Sequence, residues 1–326
     1  MSKIFTVTIP SYNIEKYLDE ILPTYLDERL LEDIELLIVN DGSKDSTAEI
    51  GKRYEEQYPG TVRLINKENG GHGSTINTGI KEASGRYFKV IDGDDWVDTE
   101  ELVKFIAFLK TADTDIVLTP FNRVIFPDKK IERESLSIFE EGKVYQLAEV
   151  ADQMGEGYRL HSATFKTEII RKIPPISEHC FYVDQEYIIL PLQFAKTVSY
   201  ANCCIYQYRF GIGEQSVSMA NRRKNIAMHV HVTLKLAKFV TENQFSEKVK
   251  IFLKNRIAGL AVYALEAFLT FEDTKVAKEQ WCDLYKKLAQ IDKDYIKLMP
   301  GKKAALLRSS NNALFSSMSA FKKKGN

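Results

Sequence analysis

The strongest constraint on the fold is an alternation in the N-terminal part of the chain. The apolar runs "IFTVTIP", "IELLIVN", "TVRLI" and "RYFKVID" are separated by helical patterns over residues 14–29, 44–58 and 74–83. Such an alternation predicts βα units feeding a mostly parallel sheet. The runs are nearly continuous in apolar character, as strands buried on both faces must be. Each ends in a polar cluster: "SYN", "NDGS", "NGGHG" and "DGDD". Ligands of open α/β sheets bind outside the carboxyl ends of the strands, so the four clusters mark one edge where a site is expected.

Further along, a helix is expected over residues 99–110, a strand at "DIVLTP", a hairpin or excursion over 126–141, a helix over 184–195 and a strand-like run "VSYANCCIYQYRF". From Asn221 the pattern is helical almost throughout. A boundary near Ser218 divides a nucleotide-type α/β domain, residues 1–218, from a helical C-terminal region, residues 219–326. Lys plus Arg equal Asp plus Glu at 45 each, so no global basic field favours nucleic acid as a partner. Cys180, Cys203, Cys204 and Cys282 show neither a paired framework nor metal-ligand spacing. The start "MSKIFTVTIPSYN" lacks the long apolar stretch of a secretory signal, and the apolar "IAGLAVYALEAFL" is too short to span a bilayer and contains Glu266. A cytoplasmic protein is expected. The tail pairs Lys302, Lys303, Arg308, Lys322, Lys323 and Lys324 with Leu306, Leu307, Leu314, Phe315, Met318 and Phe321. That pattern suits either peripheral contact with an anionic inner-membrane face or docking on its own domain or on a second subunit, as in a homo-oligomer.

The clusters carry the chemistry. In "IDGDD" an Asp-x-Asp at a strand end brings Asp92 and Asp94 within reach of one hard divalent cation, Mn²⁺ or Mg²⁺, which would neutralise a diphosphate. The bland reading is a solvated acidic turn. A haloacid-dehalogenase-type phosphatase is disfavoured by Asp95 and Trp96, which follow where that motif prefers Thr or Val. In "IVNDGSKDST", Asp41 is an acceptor for a uracil N3–H or a ribose hydroxyl, or simply part of a βα turn. In "IPSYN", Tyr12 offers a face for base stacking beside Pro10 and Asn13. The glycines of "NGGHGSTINTG" permit close backbone approach and anion-binding nests. That element is neither a P-loop nor a dinucleotide fingerprint, because no Gly-Lys-Ser/Thr follows and Ile76 stands where a glycine is required. Arg209 could meet a phosphate or form a surface ion pair, in a "YRFGIGEQSVS" segment suited to closing over a ligand. His229 and His231 sit on different faces of a helix, and Cys203 and Cys204 read as packing residues.

Together, "TIPSYN", "ELLIVNDGSKDST", "NGGHGSTINTGIKEASGRYFKVIDGDDW" and "YVDQEY" resemble glycosyltransferase family 2, an inverting, nucleotide-sugar-dependent group with the GT-A fold. The resemblance covers roughly residues 3–218. It implies that Tyr12 and Asp41 lie against the nucleobase and that Asp92 and Asp94 form the Asp-x-Asp pair, with Asp94 in direct contact with the metal. Pro10, Asn13, Gly71, His72, Gly73, Asn77 and Gly93 belong to the same matching motifs and are expected to line the nucleotide-sugar. It also implies that Asp184 is the catalytic base. Val183 replaces the usual Glu, and Ile76 replaces an Arg found in many relatives. Apart from the resemblance, an inverting transfer needs one carboxylate to deprotonate an acceptor hydroxyl. Asp184, at a helix start, suits that role or a structural cap, with Glu186 as the fallback.

The expected activity is transfer of a sugar from a UDP-sugar to a glycan, lipid-linked saccharide or glycoprotein acceptor. A non-catalytic nucleotide-sugar or glycan-binding protein on the same fold is the alternative.

Overall fold

A computed structural model describes residues 3–136, 139–211 and 218–324. The chain forms two compact units, Met1–Ile212 and Gly213–Asn326. In the first, the strands are β1 (Phe5–Ser11), β2 (Ile34–Asn40), β3 (Val62–Asn66), β4 (Tyr87–Val90), β5 (Trp96–Val97), β6 (Ile116–Leu118), β7 (Phe121–Ile125), β8 (Lys130–Glu134), β9 (Val144–Gln146), β10 (Ala163–Lys166), β11 (Thr197–Tyr200) and β12 (Tyr206–Phe210). The helices are α1 (Glu15–Ile21), α2 (Thr47–Gln57), α3 (His72–Glu82), α4 (Thr99–Thr111), α5 (Leu147–Val150), α6 (Thr167–Ile170) and α7 (Asp184–Ile189).

The main sheet has the order β3-β2-β1-β4-β10-β6-β11-β9. β1, β2, β3 and β4 run parallel, β10 is antiparallel to both neighbours, and β11 is parallel to β6. Every residue of β2 is buried, and Phe5, Val7 and Ile9 of β1 are inaccessible. That continuity is what a central parallel strand covered on both faces requires. The one acid in β2, Glu35, is matched by the Thr6 hydroxyl at 2.7 Å, the Ser84 amide at 2.7 Å and Arg63 at 3.1 Å.

Two expected helices are shorter than their apolar patterns. α1 gives way to a 3₁₀ turn over Leu22–Tyr25, and α7 to one over Leu190–Gln193. Pro23 and Pro191 explain this, since a proline supplies no amide to an α-helical ladder and its ring crowds the preceding turn. The run "VSYANCCIYQYRF" is two strands in different sheets. β11 lies in the main sheet between β6 and β9, whereas β12 crosses into a second sheet of order β5-β12-β7-β8. That crossing carries Tyr206 and Arg209 to the "DGDD" turn between β4 and β5.

The second unit is helical: α8 (Met219–Lys224), α9 (Ile226–Glu242), α10 (Glu247–Phe268), α11 (Thr274–Ile291), α12 (Lys293–Leu298), α13 (Gly301–Ser309) and α14 (Phe315–Lys324). Its tail docks on the unit itself. Leu307 and Phe315 are inaccessible, the Trp281 indole donates to Asn312 Oδ1 at 2.9 Å, and Lys322 donates to the Glu266 carbonyl at 2.9 Å. Leu306, Leu314 and Phe321 remain exposed. Among the described residues no helix is long and apolar enough to cross a membrane. His229 is buried against Tyr263, His231 is exposed, and Cys203 and Cys204 are both buried free thiols.

Candidate active site

The four polar clusters do meet at the carboxyl edge of β1, β2, β3 and β4. Tyr12, just past β1, is half-exposed and leaves a ring face accessible. Asn13 adopts a left-handed backbone (φ 52°) and ties two strand ends together: its amide donates to Ser43 Oγ at 3.0 Å, and its side-chain oxygen accepts from the Lys44 amide at 2.8 Å. Asp41 is buried, and both its oxygens already have partners. Oδ1 accepts from Lys67 Nζ at 2.9 Å and the Gly70 amide at 2.9 Å, and Oδ2 accepts from the Gly71 amide at 2.8 Å. Burial opposes ionisation of Asp41, but Lys67 and the two amides outweigh it and hold the carboxyl below its ordinary range. Asp41 thus anchors the glycine-rich loop.

That loop is strapped to residues 176–183. Gly71 has φ 81°, which a side chain rarely adopts, and a Cβ on Gly73 would stand 2.0 Å from the Ser177 carbonyl oxygen. Asn77, expected to line the nucleotide-sugar, has its amide paired with the backbone of Ile176 in both directions, at 2.9 Å each. The strap continues through His179 and Tyr182, both with positive φ, into Asp184 at the start of α7. Asp184 is partly exposed and accepts from Gln185 Nε2 at 2.7 Å. Glu186 is fully buried and accepts from the Ser177 amide at 2.9 Å, so its place is inside the fold rather than facing an acceptor.

The carboxylates after β4 have three different settings. Asp92 pairs with His72 Nε2 at 3.0 Å. Burial alone would lower the His72 pKa, but Asp92, then Asp184 and Asp94, raise it, so these groups share one electrostatic neighbourhood. Asp94 is raised by burial and then by Asp92. Asp95 is buried and held by β12: it accepts from the Tyr206 hydroxyl at 2.7 Å and the Arg209 amide at 2.7 Å. Gly93 sits in the crook of the turn, where a Cβ would meet the Pro10 carbonyl at 2.6 Å. Of the two readings of Arg209, the ion pair is present, to the exposed Glu20 at 2.9 Å, although the guanidinium itself is buried. It is 5% exposed, donates from Nε to the Asp94 carbonyl at 2.7 Å, pairs with Glu20, and lies over the rings of Tyr17, Trp96 and Phe126. It fixes the aim of the turn. The remainder of the expected closing segment, residues 212–217, lies outside the described residues.

Among the described residues one group could hold a metal ion: Asp92, Asp95 and His161 place ligand atoms within 4.8 Å of one another. Two carboxylates and an imidazole suit Mn²⁺ or a similar borderline cation. His161 Nδ1 is buried with no hydrogen-bond partner, a state that a buried polar atom rarely keeps. Asp94, expected as the direct ligand, is not part of this group. Burial pushes the His161 imidazole down to about 3 against the pull of Asp92.

Residues 6–176 match the model for Glycosyl transferase family 2. The chain belongs to this family. It is similar to the minor teichoic acid biosynthesis protein GgaB of Bacillus subtilis, 27% identical over 259 residues, covering 77% of this chain but only 28% of GgaB. Its fold matches the crystal structure of Staphylococcus aureus TarS residues 1–349 in complex with UDP-GlcNAc, with a TM-score of 0.71 at 17% identity, covering 99% of this chain and 92% of that one. A mannosyltransferase from Pyrobaculum calidifontis in complex with GDP-Man and Mn²⁺ matches with a TM-score of 0.52 at 16% identity, covering 98% and 85% of the two chains. The fold is therefore of the GT-A type with a helical C-terminal region, as expected. Family 2 membership also removes the phosphatase alternative.

Sequence reasoning missed His161, which stands in "RLHSATF" without a motif. It also left Lys67, Asp95 and Tyr206 without roles. A signal was available for Lys89, a charge inside the otherwise apolar "RYFKVID". Lys89 is fully buried, and burial pushes its ammonium down to about 7.

Proposed function

We propose that this family 2 member is a metal-assisted, inverting glycosyltransferase that moves a sugar from a UDP-linked donor to a hydroxyl of a surface glycan or glycoconjugate. The observation that carries this reading is the Asp92–His72 pair at 3.0 Å on the strand edge, in a neighbourhood where Asp184 and Asp94 also raise the His72 pKa. The likeness to TarS with UDP-GlcNAc supports UDP as the carrier. The names of GgaB and of TarS, a poly(ribitol-phosphate) beta-N-acetylglucosaminyltransferase, support a cell-surface polymer as the acceptor.

Tyr12 stacks on the uracil. The Asp41-anchored loop, with the Gly71 and Gly73 backbone, shapes the wall beside the donor. Asp92 and Asp94 face the diphosphate. The cation, when bound, neutralises the charge that develops on the departing UDP. Asp184 removes the proton from the acceptor hydroxyl as its oxygen attacks the anomeric carbon from the face opposite the leaving group, which inverts that centre. The non-catalytic alternative stays testable, because a binding protein would tolerate loss of Asp184.

The test pairs binding with turnover. Calorimetric titration of UDP with Mn²⁺ or with chelator should show binding that needs the cation. Asp184→Asn should retain that binding while transfer, or slow donor hydrolysis, falls by about 10²–10⁴-fold, the range for loss of a general base. Equal turnover by both proteins would remove Asp184 from its role.

A further inference from the structure

The carboxylate turn has a partner on an element that no motif marks. His161 lies in the short connection ahead of β10. Its ring is fixed in plane by three neighbours: Phe121 stacks at 4.9 Å and 27°, Tyr208 lies at 4.4 Å and 37°, and Tyr206 meets it edge-on at 4.8 Å and 83°. Tyr206 is the same residue whose hydroxyl binds Asp95 and accepts from the Asp92 amide at 3.1 Å. The ring and the acidic turn therefore share one support. A ring nitrogen of His161 stands within 4.8 Å of carboxylate oxygens of both Asp92 and Asp95, and Nδ1 is buried without a hydrogen-bond partner. A buried ring nitrogen left in that state is costly unless a ligand completes it. Asp95 has both oxygens engaged, Oδ2 by the Tyr206 hydroxyl and Oδ1 by the Arg209 amide, whereas His72 meets Asp92 at Oδ1; Asp92 and His161 are therefore the pair better placed to share an incoming cation.

What holds the connection is equally specific. Lys89 projects from β4, three residues before Asp92, and is wholly inaccessible to solvent. Among the described residues no carboxylate pairs with it. Instead it donates to three carbonyls: Leu160 at 3.5 Å and His161 at 2.8 Å in this connection, and Ala163, the first residue of β10, at 3.0 Å. A buried ammonium is an expensive way to stabilise a strand, and an apolar side chain would fill the space at less cost. Its three donors match three acceptors that set the backbone of His161.

We propose that His161 is a donor-site residue that presents its imidazole, with Asp92, to the divalent cation of the nucleotide-sugar complex, and that Lys89 is its positioning residue. The proposal rests on the donor reading above, and its test separates the two. The full chain is used as wild type, His161→Phe, Lys89→Met and the double variant. His161→Phe keeps an aromatic ring in the stack and removes both nitrogens, with a somewhat larger ring in their place. Each protein is titrated by calorimetry with UDP in Mn²⁺ and in chelator, and with Mn²⁺ alone.

His161→Phe should weaken UDP binding in Mn²⁺ by about tenfold or more and leave any binding in chelator unchanged. Perturbing what holds a metal ligand in place lowers affinity by about 10–100-fold, and Lys89→Met should fall in that range. The double variant should match His161→Phe alone, because a residue acting through another adds nothing once that other is gone. If Lys89→Met does not fold, Lys89→Gln, which retains two donors, takes its place in the cycle. Wild-type affinity in His161→Phe with Mn²⁺ would overturn the assignment of His161. Losses that add in the double variant would overturn the positioning role. Failure of the wild type to bind UDP with or without Mn²⁺ would defeat the donor reading itself, and this inference with it.

Discussion

Gly73→Ala tests whether the strap over the glycine-rich loop sets the position of Asp184. The added Cβ would lie 2.0 Å from the Ser177 carbonyl oxygen, whereas real Cβ contacts essentially never fall under 3.0 Å. The strap or α3 must therefore shift by about 1 Å. Neither can do so freely. Ile176 is gripped by Asn77 at 2.9 Å in both directions, and the Ser177 amide is held by Glu186 at 2.9 Å. Overpacking of this kind costs about 1–3 kcal/mol, and each kcal/mol lowers the Tm of a unit this size by about 2–4 °C. The displaced strap leads directly into Asp184, and a misplacement of about 1 Å in a reacting group can cost about 10²-fold in rate. The assay is differential scanning calorimetry together with kcat for sugar transfer. A Gly73→Ala protein with wild-type Tm and wild-type kcat would refute both the contact and the argument that the strap aims Asp184.

Two further outcomes follow from local chemistry. His229 is buried against Tyr263, and burial, then Arg222, push its imidazole down to about 4. A depressed histidine favours the neutral folded form, so stability is full above about pH 6.5 and falls as the pH drops toward 4, by about 3 kcal/mol in all; His229→Phe should flatten that decline in urea melts between those pH values, and an unchanged slope would count against it. Asp98 caps α4 by accepting from the Glu101 amide at 3.0 Å, so Asp98→Ala should destabilise by about 1 kcal/mol, read from the midpoint of a denaturant melt at unchanged slope.

The parallel core and the edge carrying the site were legible because both follow from local pattern. Continuous apolar strands such as Ile34–Asn40 can only be central, and a polar cluster after each strand can only lie on one edge. The prolines at 23 and 191 also carried a readable signal, one that the apolar periodicity around them concealed. Roles that depend on contacts between distant segments were not legible. Asn77 reaches Ile176 across 99 residues, and Arg209 reaches the Asp94 carbonyl across 115. Nothing near either residue in sequence shows these hydrogen bonds. The same holds for His161: its environment is made by Phe121, Tyr206, Tyr208 and Asp92, none of them its neighbour in sequence. Lys89 announces itself as a charge in a buried strand, but the carbonyls that receive it lie 71–74 residues away.

The acidic turn also implies a trade between stability and binding that one substitution can expose. Asp95 is compensated by Tyr206 and Arg209, and Asp92 by His72. Asp94 has the opposite balance, because burial and then Asp92 raise its pKa above the ordinary 3.8. A carboxyl raised in the folded state favours folding when protonated. Its ionisation therefore withdraws stability as the pH climbs from about 3.8 through the raised value, and that loss persists at neutral pH. Asp94→Asn removes the charge at constant shape. In chelator at pH 7 it should unfold at a higher temperature than wild type, while its Mn²⁺-dependent affinity for UDP should fall. Functional sites commonly hold strain of this kind, released only when the ligand arrives. Measuring Tm in chelator beside the UDP titration in Mn²⁺ reads both sides at once. A less stable Asp94→Asn protein would mean that Asp94 is already compensated without ligand, and undiminished affinity would mean that it does not face the diphosphate.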